Sequence, residues 1–127
     1  MGRGMLTGQI KSFEDIPEND LRKRLPRFQP ENFETNMKLV NELAKIAKKK
    51  NCTSAQLALG WVRSLSKREG MPEIIPIPGA TTVERVRENS TEVELTDEEM
   101  KEIDSILARC EVVGDRYHAF GMKLVNG

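Results

Sequence analysis

No apolar run in this 127-residue chain approaches the roughly 20 residues that a bilayer-spanning helix requires. The opening stretch, MGRGMLTGQIKSF, has neither the apolar core of a secretory signal nor the arginine-rich amphipathic pattern of a transit peptide. The expected compartment is the cytoplasm, with no membrane partner. An excess of either charge is also lacking. Twenty Lys and Arg cancel 20 Asp and Glu, so no global field recruits nucleic acid and any anion site must be local. Cysteine is scarce: Cys52 and Cys110 show no CxxC spacing, and the chain's 1 His leaves no neighbouring pair to complete a metal set. Two ordinary reduced thiols and no metal site are expected. Neither an internal repeat nor a low-complexity tract is present.

What is there, 38% apolar residues with charges spread throughout, suits one folded domain. Residues 1–30 are rich in Gly, Pro and charge and keep no apolar period, which predicts a long loop or lid, with a turn or two of helix at DLRKRL, 20–25. From Pro30 to Lys50, Phe33, Met37, Val40, Ala44 and Ala47 recur at steps of four and three, with Leu43 and Ile46 beside them. That is one face of an amphipathic helix. Pro30 suits its first turn, and Lys48, Lys49 and Lys50 sit where the negative end of the helix dipole favours cations. With zero net charge, the lysine run reads as a solvated helix end and not as a nucleic-acid patch.

Three capping boxes set further helix starts. TSAQ makes Thr53 the cap of a helix whose inward residues are Ala55, Ala58, Trp61, Val62 and Leu65. TTVE, with Thr81 as cap, opens a short helix through Asn89, and TDEE at 96–99 opens one facing Met100, Ile103, Ile106 and Leu107 inward. Residues 111–127 have no period and are expected to form an extended tail. Between the helices, EIIPIPGA at 73–80 is the one strand signal, apolar at successive positions as in a strand buried on both faces of a parallel sheet. Pro76 limits its pairing. A lone strand leaves buried N–H and C=O groups unpaired at about 1–3 kcal/mol each. Three resolutions follow: a larger sheet or barrel, a second copy, or no strand at all.

The run IPIPGATTVERVREN, Ile75 to Asn89, sets a strand, a glycine turn and a capped helix in succession. A helix N-terminus offers free N–H groups and partial positive charge. Gly79 permits close backbone approach, Thr81 and Thr82 bring hydroxyls, and Arg85 can give a charge-assisted hydrogen bond. By their own chemistry these residues make part of an anion cradle or a simple strand-to-helix connection.

This run resembles the aldo-keto reductase segment that leads from the eighth barrel strand into the eighth helix and holds the 2′-phosphate of NADPH. GRGMLTG at 2–8 resembles the family's loop after the seventh strand. TSAQLALGWV at 53–62, VELTDEEMKEID at 93–104 and GDRYHAFGMKLVNG at 114–127 fit in place and order, the last in the manner of fungal members. The resemblance implies the C-terminal portion of a (β/α)8 barrel, an α/β fold that in this chain is mostly helical with one or two short strands. Residues 1–30 would be a cofactor-covering loop, 31–110 the helices and last barrel strand, and 111–127 the tail. It implies NADPH as cofactor and a small carbonyl compound as substrate of the full-length enzyme. Gly79, Ala80, Thr81 and Thr82 would contact phosphate, Arg85 would pair with the 2′-phosphate, and Glu88 and Asn89 would approach adenine. Arg3, Gly4, Leu6 and Gly8 would cover the pyrophosphate.

One departure concerns selectivity: many members carry a lysine near Gly79 or Ala80, and here NADPH preference rests largely on Arg85. The family's catalytic Asp, Tyr, Lys and His belong to earlier strands, so no catalytic residue is assigned. Tyr117 and His118, neighbours in an irregular tail, are read as bordering the substrate mouth or as tail packing. Met1 stands where the family usually has Leu in a PLGRG-like run, which leads to the expectation of a piece of a longer reductase, inactive alone. The alternative is a non-catalytic nucleotide-binding or protein-interaction module whose orphan strand associates with another chain.

Overall fold

The structure, a computed structural model, describes residues 1–125; Asn126 and Gly127, the end of the expected tail, lie outside the described residues. Its spine is the helix expected after residue 29, α1, Pro30–Lys49, with proline in its first turn. Twenty residues give a rod about 30 Å long. It stops because Asn51 turns left-handed at φ 53, letting the Asn51 N–H donate to the Lys48 carbonyl and the Cys52 N–H to that of Ala47. That pattern closes a helix by satisfying its last carbonyls.

Helix α2, Ser54–Leu65, starts at the expected box: the Thr53 hydroxyl accepts from the Gln56 N–H at 3.1 Å, and Gln56 Oε1 accepts from the Thr53 N–H at 2.9 Å. Its buried residues are Ala55, Leu57, Leu59, Gly60 and Ser64, while Ala58, Trp61, Val62 and Leu65 are only half-buried. The single inward stripe read from sequence is thus too narrow, because α2 is covered from more than one side. One side meets α1; others meet residues 2–7, residues 83–90 and the connector at Val93, whose carbonyl lies 2.5 Å from where a Cβ on Gly60 would stand.

The next helix, α3, spans Val83–Ser90 and corrects the expected start by one residue: Thr82, not Thr81, is its cap, accepting from the Arg85 N–H at 3.2 Å. Arginine at the third position cannot accept in return, so there is a cap but no box. Helix α4, Asp97–Arg109, has the full box, Thr96 with Glu99. It buries Met100, Ile103 and Ile106, but Leu107 remains 38% exposed. Two of the three lysines closing α1 are occupied by this helix: Lys50 meets Glu99 at 2.7 Å and Lys49 meets Glu102 at 3.2 Å. They clamp one helix end to another.

Residues 1–30 are more structured than the expected loop, and the turn expected at 20–25 forms at Leu21–Arg24. Four short 3₁₀ turns, Gly2–Thr7, Phe13–Asp15, Leu21–Arg24 and Pro26–Phe28, pack Met5, Ile10, Ile16, Leu25 and Phe28 against Phe33 and Val40 of α1. A second core lies among α1, α2 and α4, built on Leu39, Ile46, Ala47, Leu57, Ile103 and Ile106. The tail is irregular apart from one turn, α5, Ala119–Met122. It is tied down by Asn36, 2% exposed, whose Nδ2 donates to the carbonyls of Arg27 and Val113 and whose Oδ1 accepts from the Val113 N–H.

Among the described residues no strand forms, and 71–80 runs as an unpaired segment. Ile75 and Ile77, expected to be buried on both faces, are 75% and 94% exposed. The reason is chemical as well as topological. Pro72, Pro76 and Pro78 have no N–H, and that of Ile74 is taken by the Ser66 hydroxyl at 2.8 Å. Only alternate residues retain a donor, and no neighbouring strand receives them.

Candidate cofactor-phosphate site

Six of the residues singled out from sequence share one cleft. Gly4 on one wall, and Gly79, Ala80, Thr81, Arg85 and Asn89 on the other, line a space of about 500 Å³ together with Met1, Thr7, Gln9 and Pro78. That volume falls within the range of small-molecule sites, about 300–1,000 Å³. The lower wall is set by α3: its cap at Thr82 aims the first turn at the cleft, and buried Asn89, 7% exposed, donates from Nδ2 to the Gly79 carbonyl at 3.4 Å. This bond folds the 79–82 turn back over its own helix.

The upper wall is the Gly2–Thr7 turn. Gly4 adopts φ 93, a conformation that side chains strain to reach, and the Thr7 hydroxyl donates to the Gly4 carbonyl at 2.7 Å. Arg22 braces it from outside, donating from Nη1 to the Arg3 carbonyl at 3.1 Å. Arg22 is itself fixed by Asp20, with Nε to Oδ1 at 2.9 Å and Nη2 to Oδ2 at 2.6 Å. Those bonds hold the Asp20 carboxyl at about 2, well below its ordinary 3.8.

Among the described residues Arg85 is the one cationic side chain lining the cleft, and no side-chain carboxylate lines it. Its guanidinium stands 3.7 Å from Glu88, both partly exposed, a long contact of the kind worth little in water. The side chain is therefore available to a stronger anion. A Cβ on Gly79 would meet nothing within 4 Å, so the backbone there opens onto unfilled space.

The other sequence-selected residues are placed elsewhere. Thr82 spends its hydroxyl oxygen on the cap. Glu88 pairs with Arg85, and its carbonyl accepts from Gln56 at 3.4 Å. Leu6 lines an apolar crevice with Leu39, Leu43, Leu57 and Trp61. Gly8 closes its turn in the left-handed region at φ 71. Arg3 points to a different pocket, where it donates to the Tyr117 hydroxyl and stacks 4.8 Å from that ring's centroid. Met1, Thr7, Gln9 and Pro78 also line the cleft without having been singled out: Thr7 and Pro78 lie inside the quoted motifs, Met1 and Gln9 beside one of them, and only the meeting of the two walls reveals them.

Among the described residues no group of three or more His, Cys, Asp or Glu gathers as for a metal ion, and no helix is long and apolar enough to cross a membrane. Burial pushes the half-buried Cys52 thiol above its usual range.

The family model described as the Aldo/keto reductase family matches residues 1–108. Over 119 residues the chain is 42% identical to the aldo-keto reductase yakc of Schizosaccharomyces pombe, whose name carries NADP(+), covering 92% of this chain and 34% of that protein. It is 43% identical over 129 residues to a putative pyridoxal reductase of Saccharomyces cerevisiae, covering 92% and 36%. With the aldo-keto reductase str7 of Strobilurus tenacellus the identity is 35% over 128 residues, covering 99% and 37%. The chain spans about a third of the length of these curated relatives. No solved structure matches it.

Proposed function

The chain belongs to the aldo/keto reductase family, and on that premise we propose that it supplies the cofactor-phosphate part of an NADPH-dependent reductase of aldehydes or ketones. In this reading it is the C-terminal portion of a (β/α)8 barrel, and the catalytic Asp, Tyr, Lys and His come from outside these residues. Residues 1–30 cover the cofactor, 31–110 give the outer helices and last strand, and 111–127 the tail; the complete enzyme works in the cytoplasm.

The observation that carries the reading is the juxtaposition of Gly4 with Gly79, Ala80, Thr81, Arg85 and Asn89 around one cleft that, among the described residues, holds the Arg85 cation and no side-chain carboxylate. The residues fit a nucleotide phosphate: open backbone at Gly79, the N–H groups that open α3 ahead of the capped Arg85, and a loosely engaged Arg85 side chain. NADPH, when bound, supplies a hydride to the carbonyl carbon. This chain's part is to bind and orient it. Arg85 compensates the 2′-phosphate charge, the backbone at 79–82 donates to its oxygens, and the Gly4 turn closes over the diphosphate with Arg3, Leu6 and Gly8 shaping that turn. Thr82 fixes the helix start, while Glu88 releases Arg85 and lies with Asn89 toward adenine.

The test is a fluorescence titration of the 127-residue chain with NADPH, followed by addition of an aldehyde. Saturable enhancement without carbonyl-dependent oxidation is expected; oxidation by the chain alone would refute the assignment of catalysis elsewhere. A second reading, a non-catalytic nucleotide-binding or interaction module, is favoured by Ile75 and Ile77, 75% and 94% exposed on the unpaired segment. There another chain would complete the ladder.

A further inference from the structure

The Gly2–Thr7 turn has a second side. Away from the nucleotide cleft it borders a separate pocket of about 210 Å³, whose lining includes Arg3, Arg27, Arg116, Phe28 and Tyr117 and no acidic side chain. Each of Arg22, Arg68, Arg85 and Arg109 faces a carboxylate. Arg3 and Arg27 form no ion pair among the described residues, and both are aimed by neutral groups instead. Arg3 is stacked on Tyr117 and donates to its hydroxyl. Arg27 donates from Nε to the Gly114 carbonyl at 2.9 Å, leaving both of its Nη groups as donors.

This arrangement is held at a conformational cost. Arg3 sits at φ 53, in the left-handed region that side chains strain to reach. Gly114, at φ 81, brings its backbone so close to Pro26 that a Cβ would stand 2.9 Å from the Pro26 carbonyl oxygen. Asn36 locks Arg27 and the tail together from beneath, through the Arg27 and Val113 carbonyls. The result is two oriented guanidiniums on one pocket, with the buried ring of Phe28, 3% exposed, as an apolar wall.

Planar guanidinium forks match the two oxygens of a carboxylate or phosphate. The space is smaller than the roughly 300 Å³ at which drug-sized ligand sites begin, so it suits a head group and a short carbon stem, not a nucleotide. We propose that this pocket binds a small organic anion, its carboxylate or phosphate held between Arg3 and Arg27 and its carbon stem against Phe28. None of these residues lines the other cleft, although Arg3 belongs to the turn assigned to the NADPH diphosphate. The two share only the Gly2–Thr7 turn.

The test is NMR titration of the full chain with succinate and, separately, with inorganic phosphate, following the arginine side-chain Nε–H signals and the Tyr117 ring. Saturable shifts at Arg3, Arg27 and Tyr117 are expected, and the anion that saturates at lower concentration identifies the head group. Arg27→Gln should weaken binding at least tenfold, and exposed Arg3→Gln gives the same reading should loss of the Gly114 contact disturb the fold. Arg85→Gln should leave it unchanged. Unaltered affinity in both Arg27→Gln and Arg3→Gln, shifts confined to Gly79 and Arg85, or no saturable shift with either anion would overturn the proposal.

Discussion

Asn36 shows what a single side chain carries in this molecule. It satisfies two carbonyls and one N–H contributed by residues 9 and 77 positions away. Asn36→Ala should cost about 1–3 kcal/mol for each backbone group left buried and unpaired, read as a lowered urea midpoint. Asp20 makes a pH-dependent contribution. Because its folded value, about 2, lies below the ordinary 3.8, the stability it adds is complete above 3.8 and is lost as pH falls toward 2. Asp20→Asn should flatten that part of the acid limb in a series of melts. Asn36 was not legible, because a lone Asn on a helix has no periodicity and its partners are chosen by tertiary contact; Asp20 is a local cap whose partner, Arg22, lies two residues on, within the turn expected at 20–25. Arg85 was legible because it stands one turn into a capped helix after a glycine turn, a local arrangement.

At the level of elements, helix starts were the best-written feature. The boxes at Thr53 and Thr96 formed as expected because both partners lie within three residues. Replacing Thr96 by Ala should cost about 0.5–2 kcal/mol, measurable by thermal unfolding. The start of α3 slipped from Thr81 to Thr82: either threonine can serve as a cap, but only Thr81 has an acidic partner three residues on, so the box pattern pointed one residue early. Gly60 sets two effects against each other. Alanine would gain about 1 kcal/mol of helix propensity, but its methyl would collide with the Val93 carbonyl 2.5 Å away. Overpacking against backbone costs about 1–3 kcal/mol, so Gly60→Ala should lower the melting temperature. The segment 73–80 forms no strand among the described residues because a strand is a property of a pair, and no partner strand is present. Its exposed isoleucines should drive concentration-dependent association, which Ile77→Ser should reduce in sedimentation experiments.

On the scale of the whole chain, α1 joins two cores, and its length makes them one cooperative unit. The chain's 1 Tyr and 1 Trp report on them separately: Tyr117 packs on the core under the N-terminal turns and Trp61 on the core between the helices. Their unfolding transitions should coincide, because losing either core unseats the helix shared by both. The family was legible from motifs spread over the chain, whereas the closing of the Gly2–Thr7 turn onto α3 was not, since it joins residues some 80 positions apart through packing. That closure is the central claim. Its most direct measurement is amide chemical-shift mapping of the chain with 2′,5′-ADP against 5′-AMP. Shifts at Gly4, Thr81, Arg85 and Asn89, at least tenfold tighter binding of the 2′-phosphate nucleotide, and loss of that difference in Arg85→Gln are predicted. Equal affinity for the two nucleotides, or a preference untouched by Arg85→Gln, would contradict it.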